Sequence, residues 1–160
     1  MSAFRAIGSS SAEAECALEL TQARCFAADL HVPNRSFGMR YLDEDVIARS
    51  SFLDTRIEVA PGDPVPIDVA RVAAAKLPRA RTAWLFHTSF CASTLLARAL
   101  HLPPFGLALK EPLVLRRLSD ARHARWPLEG LIAPSVALLS RPWHPGGVDP
   151  VPPARKKQTS

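Results

Sequence analysis

TAWLFHTSFCASTLLARAL, residues 82–100, decides how the rest of the chain is read. Ala83 to Phe86 read as a buried strand. His87 to Ala92 read as a turn of mostly small residues, and Ser93 opens a helix. Strand, turn and helix in that order commonly hold a phosphate. The first N–H groups of a helix lack intrahelical partners, and the helix dipole adds partial positive charge there. Ser93 and Thr94 add hydroxyl donors at the mouth. The stretch is expected to be an anion cradle, with a plain strand–helix joint as the competing reading.

Downstream, His101 to Gly106 is a breaker-rich turn, and Leu107 to Leu109 read as a second strand. Proline suits the first position of a helix, so Pro112 places Glu111 at or near an N-cap. Val114, Leu115, Leu118 and Ala121 form the buried face of that helix, and Arg116, Arg117, Asp120 and Arg122 its wet face. Strand, crossover helix and strand make a βαβ unit, expected right-handed and parallel. Ligands of such sheets sit outside the carboxyl ends of the strands, which would bring the Phe86–Ser93 turn and Lys110-Glu111 to one edge. Leu128 to Leu139 read as one more helix. From Pro142 onward breakers crowd and the chain ends basic, so residues 142–160 are expected to be a disordered Pro-rich tail.

Upstream, Ser10 and Glu13 have capping-box spacing. Cys16, Leu20, Ala23, Ala27 and Leu30 then recur at steps of three and four, which predicts a helix ended by Pro33. Asn34 to Gly38 read as a polar connection. Asp43, Glu44 and Asp45 precede Val46 and Ile47 and suit the first turn of a short helix better than a metal site. Thr55 to Ala60 alternate as a short strand, and Pro61 to Pro64 make a turn. Ile67, Val69, Val72, Ala73 and Leu77 predict a helix ended by Pro78. The expected fold class is α/β: a helical N-terminal segment, residues 1–80, followed by a core, residues 81–141, with a partial parallel sheet.

A chain of 160 residues is long enough for one domain with a real core. The net charge of +5 favours anionic partners. The arginines are dispersed and the few aromatics do not interleave with a basic stripe, so a specific nucleic-acid surface is not expected. Cys16, Cys25 and Cys91 are odd in number and in no metal pattern, which fits a reducing compartment. No apolar run reaches membrane-spanning length, and the N-terminus has no signal-peptide pattern. Cytosol is the expected location.

The turn itself has neither the glycines nor the lysine of Gly-x4-Gly-Lys-[Ser/Thr], which disfavours an ordinary ATPase or GTPase. Cys91 and Arg98 are one residue too far apart for a Cys-x5-Arg phosphatase loop. The stretch instead resembles the 5′-phosphosulfate loop of the sulfotransferase-like P-loop family, Pro-[Lys/Arg]-Ser-Gly-Thr-[Thr/Ser]-x-Leu. Ser89 takes the place of the proline, Phe90 of the basic residue, Cys91 of the serine and Ala92 of the glycine. Ser93 and Thr94 keep the hydroxyls, and Leu96 matches the helix position. The resemblance extends to Lys110-Glu111-Pro112, where family-like proteins carry an acidic residue after the next strand. It implies binding of 3′-phosphoadenosine 5′-phosphosulfate by Ser89, Cys91, Ala92, Ser93, Thr94 and Lys110. It also implies transfer of a sulfuryl group to a hydroxyl or amine of a small-molecule acceptor, with Glu111 or His87 as base.

The family's later strand and its Arg…Ser pair for the 3′-phosphate are not found after Arg141, so the fold is expected to stop early, by truncation or a shifted reading frame. Two further readings follow. One is a non-catalytic binding module or remnant with an uncovered apolar edge; the other is a nucleotide-binding, kinase-like protein. Each residue also has a plain structural reading. His87 is then a hydrogen-bonded strand-end histidine, Glu111 a helix cap paired with Lys110, Cys91 a packing residue, and Arg98 part of a solvated face.

Overall fold

In a computed structural model, the described residues are 19–57, 63–87, 91–102 and 106–143. They form a three-stranded antiparallel sheet with short helices around it. The strands are β1 (Cys25–His31), β2 (Ser36–Tyr41) and β3 (Val65–Asp68), in the order β1-β2-β3. The helices are α1 (Glu44–Arg49), α2 (Val69–Ala74), α3 (Ser93–Ala99), α4 (Leu113–His123) and α5 (Ile132–Leu139). The chain does mix helix and sheet. The sheet is antiparallel, however, and is built wholly from the part predicted to be helical.

A bulge explains why β1 reads as a helix. Ala27 pairs with Met39 and Asp29 with Gly38, which leaves Ala28 as an extra residue. Cys25, Ala27 and Leu30 join one apolar cluster, while Phe26 and Ala28 join another. The bulge thus turns a spacing of two into one of three, and burial on both faces removes the polar alternation. Pro33 does not end a helix. It occupies the second position of the β1–β2 turn, which Arg35 N–H closes by donating to Val32 O at 3.2 Å. The residues read as a polar connection include Gly38, which lies inside β2. A Cβ there would come within 3.0 Å of Pro64 Cβ, so the glycine permits the close approach of the next strand's entry.

The helix expected from Ile67 is split. Val65 to Asp68 form the edge strand β3, where Pro66 is tolerated, and Asp68 then caps α2 by accepting from Ala70 N–H at 2.6 Å. The helices expected after the acidic triplet, after Pro112 and within 128–139 correspond to α1, α4 and α5. Thr55 to Ile57 are not in a strand; the rest of that expected strand, the capping box and the tail beyond Trp143 lie outside the described residues.

One cluster joins Phe37, Met39 and Ile67 of the sheet to Val69 and Val72 of α2, Val114 and Leu118 of α4, and Leu131 and Leu138 by α5. Each such side chain contributes roughly 1.5–3 kcal/mol by leaving water. A second cluster packs Phe26 with Leu42, Ile47, Leu53 and Leu139, with Leu107 and Leu109 against it. Leu107 to Leu109 therefore serve as half-buried packing residues and not as a strand.

The central strand is also absent. Ala83 to Phe86 form no strand, and Trp84, Leu85 and Phe86 are 41%, 53% and 90% exposed. A strand is held by its neighbours' backbone groups. Among the described residues, Ala83 to Phe86 make no backbone hydrogen bond. Without that pairing there is no parallel βαβ unit among them. The helix expected at Ser93 is present as α3, but it buries none of its residues.

Two polar clamps tie the packed body together. Arg141 is buried and donates to Leu138 O, Leu20 O, Gln22 O and Cys25 O at 2.7–2.8 Å. Its charge also sits at the carbonyl end of α5, where a cation is favoured. Arg117 of α4 grips Asp29 of β1 through Nε and Nη2 at 2.8 and 3.2 Å. Burial raises the Asp29 pKa, but Arg117, the Leu30 N–H and His31 outweigh it and hold the carboxyl below its usual range.

Candidate functional site

Lys110, Glu111 and Pro112 lie between the second apolar cluster and α4. Two backbone bonds fix them: Leu53 N–H donates to Lys110 O at 2.7 Å, and Leu113 N–H donates to Leu53 O at 2.9 Å. Glu111 takes φ +47°, a left-handed conformation that costs a non-glycine residue roughly 1–2 kcal/mol. Across that bend the two neighbouring side chains part company. Lys110 is 4% exposed and donates from Nζ to Ala48 O at 3.0 Å, at the carbonyl end of α1. Glu111 is exposed, and its Oε1 lies 3.6 Å from His87 Nε2.

The surroundings are cationic. Arg98 of α3 donates to Ser51 Oγ at 3.3 Å. Burial pushes the Lys110 pKa down, and the nearby Arg98 charge pushes it further. Arg56 donates to Asp54 from Nε at 2.9 and 3.1 Å and lies over the Phe52 ring at 4.1 Å. That hydrogen bonding raises the Arg56 pKa, with a smaller push from Glu111, and takes Asp54 down to about 2.

The residues of the expected loop are distributed as follows. Ser89 and Phe90 lie outside the described residues. Cys91 and Ala92 are exposed, while Ser93 and Thr94 are half-buried in the first turn of α3. Ala92 takes φ +59° and ψ +24°, the conformation that glycine adopts without a Cβ penalty. Thus the structure brings His87 to Glu111 and Arg98 to the neighbourhood of Lys110. No hydrogen bond or ion pair among the described residues joins Ser93 or Thr94 to Glu111.

Sequence reasoning does not point to Arg98 or Ser51 as part of the site. Arg98 reads as a solvated helix residue, and Ser51 carries no signal beyond its hydroxyl. The acidic triplet behaves as a helix start: Asp43 is the N-cap, Glu44 and Asp45 fill the first turn, and Arg24 Nη1 lies 3.8 Å from Asp43. Among the described residues no group of histidine, cysteine or acidic side chains could hold a metal. No helix among them is long and apolar enough to cross a membrane. Two open surface depressions, one beside α1 and one along α5, do not include His87 or Glu111.

Compared with family models, with curated proteins and with solved structures, the chain matches none.

Proposed function

We propose that the chain is a sulfotransferase-like protein that binds 3′-phosphoadenosine 5′-phosphosulfate. It passes the sulfuryl group to a hydroxyl or amine of a small-molecule acceptor. The observation that carries this reading is the approach of His87 Nε2 to Glu111 Oε1 at 3.6 Å, beside the buried Lys110. An acceptor lone pair attacks sulfur, the sulfur–oxygen bond to the nucleotide phosphate breaks, and Glu111 or His87 takes the acceptor proton. The left-handed Ala92 also supports the reading, because the resemblance puts a glycine at that position. Titration with adenosine 3′,5′-bisphosphate is the test: saturable heat is expected, and silence at millimolar ligand overturns the nucleotide claim.

A second reading, a binding module without transfer, is favoured by the exposure of Trp84, Leu85 and Phe86. It predicts nucleotide binding with no labelled sulfate passed to any hydroxyl or amine acceptor. Transfer that falls at least tenfold in Glu111→Gln would exclude it.

A further inference from the structure

We infer that Arg98, Lys110 and Ser51 form a subsite for a tetrahedral oxyanion, a phosphate or sulfate group, beside the carbonyl end of α1. The two cations come from different elements. Arg98 Nη2 donates to Ser51 Oγ at 3.3 Å, and Lys110 Nζ donates to Ala48 O at 3.0 Å. Ala48 lies in the last turn of α1, and Ser51 follows its cap, so one short segment anchors both.

Among the described residues, neither Arg98 nor Lys110 has a carboxylate partner, whereas Arg24, Arg56 and Arg117 each have one. A buried ammonium held by one carbonyl retains two donors, and Arg98 retains most of its fork. The Ser51 hydroxyl accepts from Arg98, so its own proton remains to be given. Arg98 and Ser51 are exposed, which leaves a route from solvent. Lys110 does satisfy the end of α1, but that role needs no second cation. Burial already makes Lys110 harder to charge, and the nearby Arg98 charge adds to that. An oxyanion between them would turn that mutual repulsion into two charge-assisted bonds.

The source of the anion, a nucleotide phosphate or a free ion, is where the inference rests on the proposed function. Inorganic sulfate and adenosine 3′,5′-bisphosphate are therefore titrated separately into the full chain. The variants are Arg98→Gln, Lys110→Met and, as a distant exposed control, Arg122→Gln. Arg98→Gln is expected to weaken binding about tenfold, with Arg122→Gln unchanged. Arg98 is on the surface, so its variant keeps the test valid if Lys110→Met fails to fold. Sulfate binding that depends on Arg98 without nucleotide binding supports the subsite and overturns the nucleotide reading. Nucleotide binding indifferent to Arg98→Gln overturns the subsite alone. Binding of neither ligand overturns both.

Discussion

Two regions of this chain carry the same kind of residue and meet opposite fates. In the packed body, Phe26 and Phe37 are buried on paired strands, each in an apolar cluster that includes helix residues. In the arm from Thr82 to Leu102, Trp84, Phe86, Leu95, Leu96, Leu100 and Leu102 stand exposed. Local pattern does not explain the difference, since the arm has the stronger strand-then-helix signature. Available partners explain it. β1 gains a ladder from β2 across a four-residue turn, whereas Ala83 to Phe86 have no neighbouring strand among the described residues. A hydrophobic side chain is stabilised by the surface that covers it, and its own apolarity only sets how much can be gained.

The contrast can be broken most directly by matched truncations. Phe37→Ala is expected to cost about 3–5 kcal/mol in urea unfolding, and Phe86→Ala to stay within about 0.5 kcal/mol. Equal losses would mean that the arm is covered in solution. Next comes Arg141→Ala, expected to cost about 3 kcal/mol or more, because it strands buried carbonyls of Leu20, Cys25 and Leu138. An unchanged denaturation midpoint would show that the clamp is dispensable.

Asp29 should show a smaller, pH-dependent effect. Its folded pKa is below the unfolded value of 3.8, so its contribution is present above that value. The contribution fades as pH falls through the depressed folded pKa. Asp29→Asn should cost about 1 kcal/mol near neutrality, and the gap from the parent should close as pH falls below 3.8 and through the depressed folded pKa. A gap that widens on acidification would contradict the pairing with Arg117. The smallest effect belongs to the arm. Ala92→Gly relieves a left-handed alanine and should gain no more than about 1 kcal/mol locally, read as slower amide exchange at Leu96.

How much could be read from the chain follows the same division. The start of α4 is legible because Pro112 fixes it, and Leu118 and Ala121 repeat at helical spacing. The start of α1 is legible in its acidic first turn. β1 is hidden because an unpaired residue mimics helical spacing, and β3 because Asp68 caps a helix immediately after a strand. At the candidate site, Lys110, Glu111 and His87 can be picked out as chemistry-bearing residues. The reason for grouping them, a shared parallel sheet edge, does not apply. His87 reaches Glu111 from a segment with no strand partner among the described residues. Arg98 and Ser51 meet only in three dimensions, so no spacing announces them.

The extra residue in β1 has one more consequence. With Ala28 present, Asp29 stands opposite Gly38 and Leu30 opposite Phe37. Remove Ala28 and the alternation continues without interruption: Ala27 inward, Asp29 outward, Leu30 inward. The strand thus carries one residue that its side-chain phase does not count, and a single-residue deletion there should leave the apolar set facing as before. What the deletion should alter is the local twist that aims Asp29 at Arg117. A shortened chain that keeps its near-neutral fold but loses the acid-sensitive part of its stability would separate these two jobs of one position, phase and aim.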